Sequence, residues 1–139
     1  MSNRYKIVEL FAGVGGFRLG LEKHGHKTVW ANQYEPKTKV QHAYECYKSK
    51  FKADYTNLNT DIHEVDENEI DDHDLLVGGF PCQDYSVATV SAKGIQGKKG
   101  VLWWDINRIL EAKEPELVLL ENVDRLLRSP VTKEVETLG

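Results

Sequence analysis

The chain is short of cysteine and without a long apolar run, and each shortage excludes something. Two cysteines, Cys46 and Cys82, cannot form the framework of a disulfide-stapled miniprotein. They do not form a Cys-x-x-Cys pair, which argues against a thioredoxin-like redox site. No apolar stretch approaches the roughly 18 residues that a membrane span requires. The start, Met1 to Lys6, offers no hydrophobic segment of the secretory kind. The expectation is a cytoplasmic protein, away from membranes, with both thiols free. Basic charge is scarce too: 18 Lys and Arg against 22 Asp and Glu leave a net charge of -4. A nucleic-acid partner would therefore be held by a local patch, not by a global field. The five histidines are scattered, and the close pair His24 and His26 lacks a third ligand, so no metal site is expected. The acidic stretch 61–72 lacks the glycine and the spacing of a calcium loop and reads as solvated surface, with Asp61 as an exception.

What is present is an ordinary globular composition in 139 residues, enough for one domain. Strand-like and helix-like segments alternate. Residues 6–11 read as a strand that stops at the glycines of Gly13-Val14-Gly15-Gly16. A helix over 17–24 ends at Gly25, a strand covers 27–32, and a helix runs from Pro36 to about Lys50. That second helix places Val40, Ala43, Tyr44 and Tyr47 on one face, with Cys46 as a buried structural cysteine beside the tyrosines. A weak strand is expected at 55–58 and a clear one at 73–77, followed by a long loop over 83–100. Lys93, Lys98 and Lys99 make that loop a local basic element suited to phosphates, or simply a solubilising one. A helix at 101–112, a strand at 116–120 and a tail with a short helix to Leu138 complete the chain. The alternation predicts an α/β fold with a Rossmann-like parallel sheet, whose ligand sits beyond the carboxyl ends of the strands.

The distinctive residues all fall at that edge. The glycine turn after the first strand lets backbone approach a ligand at a helix N-terminus. It is not the dinucleotide fingerprint, because Arg18 stands where the third glycine would be. Glu9, just before the turn, does nothing for a pyrophosphate, so a cofactor without one, such as S-adenosylmethionine, fits better. A tight turn that binds nothing remains the alternative. Cys82 follows Gly78-Gly79-Phe80-Pro81 directly after a strand, where a thiolate would be a strong nucleophile, or else a buried structural thiol. Glu121-Asn122 ends the last strand, and a carboxyl there can donate a proton or make a structural bond.

Together these segments resemble the cytosine carbon-5 DNA methyltransferases. The resemblance is carried by Val8-Glu9-Leu10-Phe11-Ala12-Gly13-Val14-Gly15-Gly16, by Gly78-Gly79-Phe80-Pro81-Cys82-Gln83 and by Glu121-Asn122-Val123, in that order. Asp61-Ile62 and Gly100-Val101-Leu102-Trp103-Trp104-Asp105 agree. The resemblance implies methyl transfer from S-adenosyl-L-methionine to carbon-5 of a cytosine flipped out of double-stranded DNA. It assigns Cys82 as the nucleophile on carbon-6, Glu121 as the group that protonates ring nitrogen 3, and Asn122 to the order of the turn. For the cofactor it implies Phe11, Gly13, Val14 and Gly16, then Asp61 and Ile62 at the adenine edge, then Gly79, Pro81 and Leu102. Where the family usually has an acid on the ribose hydroxyls this chain has Gln33, beside Tyr34, which would stack on the adenine. The glutamine-arginine-arginine block, the target-recognition domain and the late asparagine-containing block of the family do not occur. Residues 1–139 are thus expected to be the N-terminal part of a catalytic domain, whose sheet is incomplete at its C-terminal side. It would depend on a complementary C-terminal polypeptide or self-associate. A transfer-RNA methyltransferase and a catalytically silent S-adenosylmethionine-binding module are the competing readings.

Overall fold

The computed structural model describes residues 3–80 and 101–122. Four parallel strands form one sheet: β1 (Lys6–Leu10), β2 (Lys27–Ala31), β3 (Leu75–Gly79) and β4 (Leu117–Glu121), in the spatial order β2-β1-β3-β4. Three helices connect them: α1 (Gly16–Lys23), α2 (His42–Phe51) and α3 (Val101–Lys113). Parallel strands covered on both faces read as continuous apolar runs, which is why Ile7, Val8, Leu10, Leu76 and Val77 are completely buried.

Side-chain alternation divides the core into layers. Val8, Leu10 and Leu76 face Ile106 and Ile109 of α3, together with Trp30, Ile62 and Ile70. Ile7, Leu75 and Val77 point the other way and pack on Phe17 and Leu21 of α1. A third cluster joins Ala12 and Ala31 at the strand ends to Tyr47 of α2 and Leu58. Helix α1 stops where expected: Gly25 has φ +89° and its N–H donates to the Glu22 carbonyl.

Three local expectations are corrected. Residues 55–58 form a turn and not a strand, because Asn57 is left-handed (φ 62°) and Leu58 N–H bonds back to the Tyr55 carbonyl. Helix α2 begins at His42, not at Pro36. The intervening loop is tied by Gln41, whose side chain accepts from Glu35 N–H and donates to the carbonyls of Glu35 and Thr38. Cys46 is exposed and not buried: the buried face of α2 is carried by Tyr47, and Cys46 is turned outward. The expected loop 83–100 and the tail helix lie outside the described residues. No helix among the described residues is long and apolar enough to cross a membrane.

Candidate active site

Strand β1 ends in a strained turn. Phe11 takes φ +51°, a left-handed conformation unusual for an aromatic residue. Ala12 N–H donates to the Asn32 carbonyl, and Gly13 N–H donates to Oε1 of Gln33 at 2.8 Å. The end of β2 therefore grips the glycine turn, and the Gly13 amide is already spent on Gln33. Gly15 (φ +90°) is required twice over, since a β-carbon there would lie 2.2 Å from the Phe51 ring.

Beneath this turn lies a buried polar cluster that the sequence did not announce. Glu9 is 1% exposed on β1 and accepts from the Tyr47 hydroxyl at 3.0 Å. Its other oxygen, Oε1, is buried with no hydrogen-bond partner among the described residues. Burial pushes the Glu9 carboxyl up to about 7, against the opposing pull of the Tyr47 hydrogen bond. Burial likewise raises the Tyr47 phenol. Arg18 of α1 donates to the hydroxyls of Tyr47 (3.2 Å) and Tyr55 (3.0 Å), pairs with Glu22 and lies over the Phe51 ring. The signal for this cluster was present as a charged residue inside an apolar strand and an arginine in the glycine-turn helix.

Beyond the strand ends, a cleft of about 570 Å³ is lined by Phe11, Gln33, Tyr34, Asp61, Ile62, Gly79 and Leu102. Seven expected cofactor residues thus meet around one cavity, of a size that suits a small-molecule cofactor. Asn32, Glu35, Pro36, Lys37, Thr38 and His63 complete its wall. The sequence did not single them out as site residues, because only folding of the loop after β2 and of the turn at Ile62–Glu64 brings them to the cleft. Gly16 lies instead along a groove beside α1, with Phe17, Gly20, Leu21 and His24. Val14 is 53% exposed and lines neither cavity. Gly13 acts through its bond to Gln33.

Apolar walls from Phe11, Ile62 and Leu102 face polar groups from Gln33 and Asp61 across the cleft. Asp61 accepts from His63 N–H through Oδ1 (3.1 Å), and its Oδ2 has no partner among the described residues. That acceptor beside apolar surface fits a flat, amine-bearing ring such as the adenine of S-adenosylmethionine.

The second half of the site joins β3 to β4. A β-carbon on Gly79 would stand 3.0 Å from Oε2 of Glu121, so the missing side chain leaves room for that carboxylate. Asn122 donates through Nδ2 to the Phe80 carbonyl at 3.1 Å, fixing the chain as it leaves β3. Pro81 and Cys82 follow immediately and lie outside the described residues. Phe80 is buried between Phe11 and Trp103, at ring-centroid distances of 6.4 and 6.3 Å, and couples the two halves.

Comparison with known proteins agrees with this geometry. The family model of the C-5 cytosine-specific DNA methylases matches residues 5–138. The type II methyltransferase M.Sau3AI of Staphylococcus aureus is 56% identical over 135 residues, covering 92% of this chain and 32% of that protein. M.HhaI of Haemophilus parahaemolyticus is 40% identical over 118 residues, covering 85% and 33%. The chain therefore spans about a third of the length of these relatives. The fold is shared with the Entamoeba histolytica methyltransferase EhMeth (TM-score 0.67, 20% identity, 96% of this chain and 42% of that one). It is shared also with the S. pombe Dnmt2 methyltransferase (TM-score 0.59, 20% identity, 91% and 37%). The family model spans nearly the whole chain, and the chain belongs to the C-5 cytosine-specific DNA methylase family.

Proposed function

We propose that this chain carries the cofactor site and the catalytic residues of a DNA cytosine carbon-5 methyltransferase. The observation that carries the reading is the junction of β3 and β4. Glu121 lies over Gly79 and Asn122 holds the Phe80 carbonyl, so the glutamate stands beside the segment that leads within two residues to Cys82. Phe11, Gln33, Tyr34, Asp61, Ile62 and Leu102 would hold S-adenosyl-L-methionine, which would supply a methyl group made electrophilic by its sulfonium. The remaining chemistry belongs to the protein. A cytosine is taken out of the duplex, because carbon-5 and carbon-6 are inaccessible in the stack. Glu121 holds a proton at ring nitrogen 3, which withdraws electrons from the ring. The Cys82 thiolate adds to carbon-6, forming an Sγ–C6 bond and making carbon-5 nucleophilic. After methylation, loss of the carbon-5 proton to a base restores the C5–C6 double bond and expels the thiolate.

The test is transfer of a labelled methyl group from S-adenosylmethionine to mixed-sequence duplex DNA and, separately, to total transfer RNA, beside Cys82→Ala. Label on DNA that vanishes in the variant supports the reading. Label confined to transfer RNA moves the assignment to that substrate, and label that survives the substitution removes Cys82 from the chemistry.

The proposal extends to the edge of the sheet. Leu117, Val118 and Leu119 of β4 are 44%, 46% and 47% exposed, and among the described residues β4 is at the edge of the sheet. Apolar residues on an edge invite pairing with another chain segment. A complementary polypeptide that continues the sheet, or a second copy of this chain, covers β4 in the working enzyme. Sedimentation of the purified chain checks this: self-association is expected, and a monodisperse, heat-stable monomer contradicts it.

A further inference from the structure

The wall of the cleft that carries Asp61 and Ile62 is a short turn whose Ile62 side chain is buried in the core. Ile62 begins a single 3-10 turn (Ile62–Glu64), and a second follows at Glu67–Glu69. Helix α3 grips this segment from behind. Arg108 donates from one guanidinium nitrogen to the Ile62 carbonyl (2.6 Å), from another to Glu67 (2.6 Å) and through Nε to Asp105 (3.0 Å). Asp105 also pairs with the His63 ring. Asp105 and Arg108 stand three residues apart, on one face of the helix. One turn earlier, α3 places Leu102 in the cleft. A planar guanidinium satisfying three acceptors in fixed directions locates a backbone more precisely than a single point charge would. Arg108 does not line the cleft, so its influence on a ligand runs through Ile62 and Asp61.

We propose that Arg108 is a positioning residue for base selectivity: by holding the Ile62 carbonyl it places Oδ2 of Asp61 to receive an exocyclic amine from the flat ring of the cofactor. The inference rests on the cofactor reading above and adds the element that sets its selectivity. The carboxylate accepts from a 6-amino purine. A 6-oxo purine presents an acceptor instead, opposite an acceptor.

Calorimetric binding of S-adenosylhomocysteine and of its inosine counterpart tests this. The intact chain should prefer the adenine compound by about tenfold or more, the worth of one hydrogen bond to a charged group. Glu67→Gln, which alters a different Arg108 contact, should preserve that ratio. Arg108→Met should bring the ratio to within about twofold of unity by weakening the adenine compound selectively. A purely structural role would weaken both compounds alike. If Arg108→Met does not fold, Arg108→Lys is read by the same ratio, since an ammonium does not reproduce the forked contact to Ile62 and Glu67. An unchanged ratio in the Arg108 variant, or equal loss in Glu67→Gln, overturns the inference while leaving the cofactor reading intact. Binding of neither compound by the intact chain overturns both.

Discussion

Strands β3 and β4 are neighbours with nearly the same kind of sequence, Leu-Leu-Val-Gly-Gly and Leu-Val-Leu-Leu-Glu, paired residue by residue from Leu75 with Leu117 to Gly79 with Glu121. Their surroundings are opposite. Leu76 and Val77 are wholly buried between α1 and α3, whereas their partners Val118 and Leu119 are nearly half exposed. Apolar sequence therefore did not determine burial; position in the sheet did. The two strands nevertheless end in one site, where β3 contributes a missing side chain and β4 fills the space with a carboxylate.

The sharpest way to break the comparison is to remove equivalent side chains from both strands. Leu76→Ala should cost about 3 kcal/mol through lost burial and a residual cavity. Leu119→Ala should cost about 0.5 kcal/mol or less in the monomeric chain, at concentrations too low for self-association. Denaturant titration of both variants measures the gap, and equal costs would mean that β4 is covered in solution.

The next effect lies one strand further in, on β1. Glu9 pairs with Val77 and is buried with its carboxyl pushed up to about 7, from an ordinary 4.5. The folded state thus binds a proton more tightly than the unfolded one. The stability this gives is fully present below about pH 4.5 and is lost as pH rises through about 7. The loss is on the order of 2–3 kcal/mol. His73, which burial keeps neutral, acts in the opposite direction, so the difference from Glu9→Gln is the useful quantity. Melting temperatures between pH 4 and 8 should show that difference narrowing or reversing as pH rises. A constant difference would mean that Glu9 does not titrate in that range.

A smaller effect is expected where the strands meet. Gly79→Ala puts a β-carbon 3.0 Å from Glu121 Oε2, a side-chain atom able to move, so stability should fall by about 1 kcal/mol or less. Methyl transfer should fall by more than that stability change explains, because the displaced group is the proposed proton donor. A variant with full activity would show that the seating of Glu121 is unimportant. The smallest effect on folding is Leu117→Lys, at about 0.5 kcal/mol or less. It should still diminish self-association or complex formation in sedimentation, as charged edges do.

Much of this was legible in the sequence, and the exceptions have physical causes. Gly25 marked the end of α1, and short, mostly apolar runs marked β1 and β3, because glycine geometry and two-sided burial leave local signatures. Pro36 misplaced the start of α2 because the preceding loop is stabilised by the Gln41 side chain, a contact within a turn that no periodicity reveals. Residues 55–58 resembled a strand in composition, yet Asn57 turns the chain over. At the site, Phe11, Gln33, Tyr34, Asp61, Ile62, Gly79 and Leu102, which the resemblance implied, line one cleft. Val14, taken from the same motif, points to solvent. The Glu9–Tyr47–Arg18 cluster and the grip of Arg108 on Ile62 depend on pairs distant in sequence, and only the fold brings them together.

The central claim, that Cys82 and Glu121 act on one cytosine, is tested most directly with a duplex containing 5-fluorodeoxycytidine. Fluorine at carbon-5 cannot leave as a proton does, so a thiolate bonded to carbon-6 stays bonded after methylation. The account predicts a denaturation-resistant complex of chain and DNA that needs S-adenosylmethionine, maps to Cys82, disappears in Cys82→Ala and is strongly reduced in Glu121→Gln. Methylated DNA with no such complex, or a complex mapped to another residue, would contradict it.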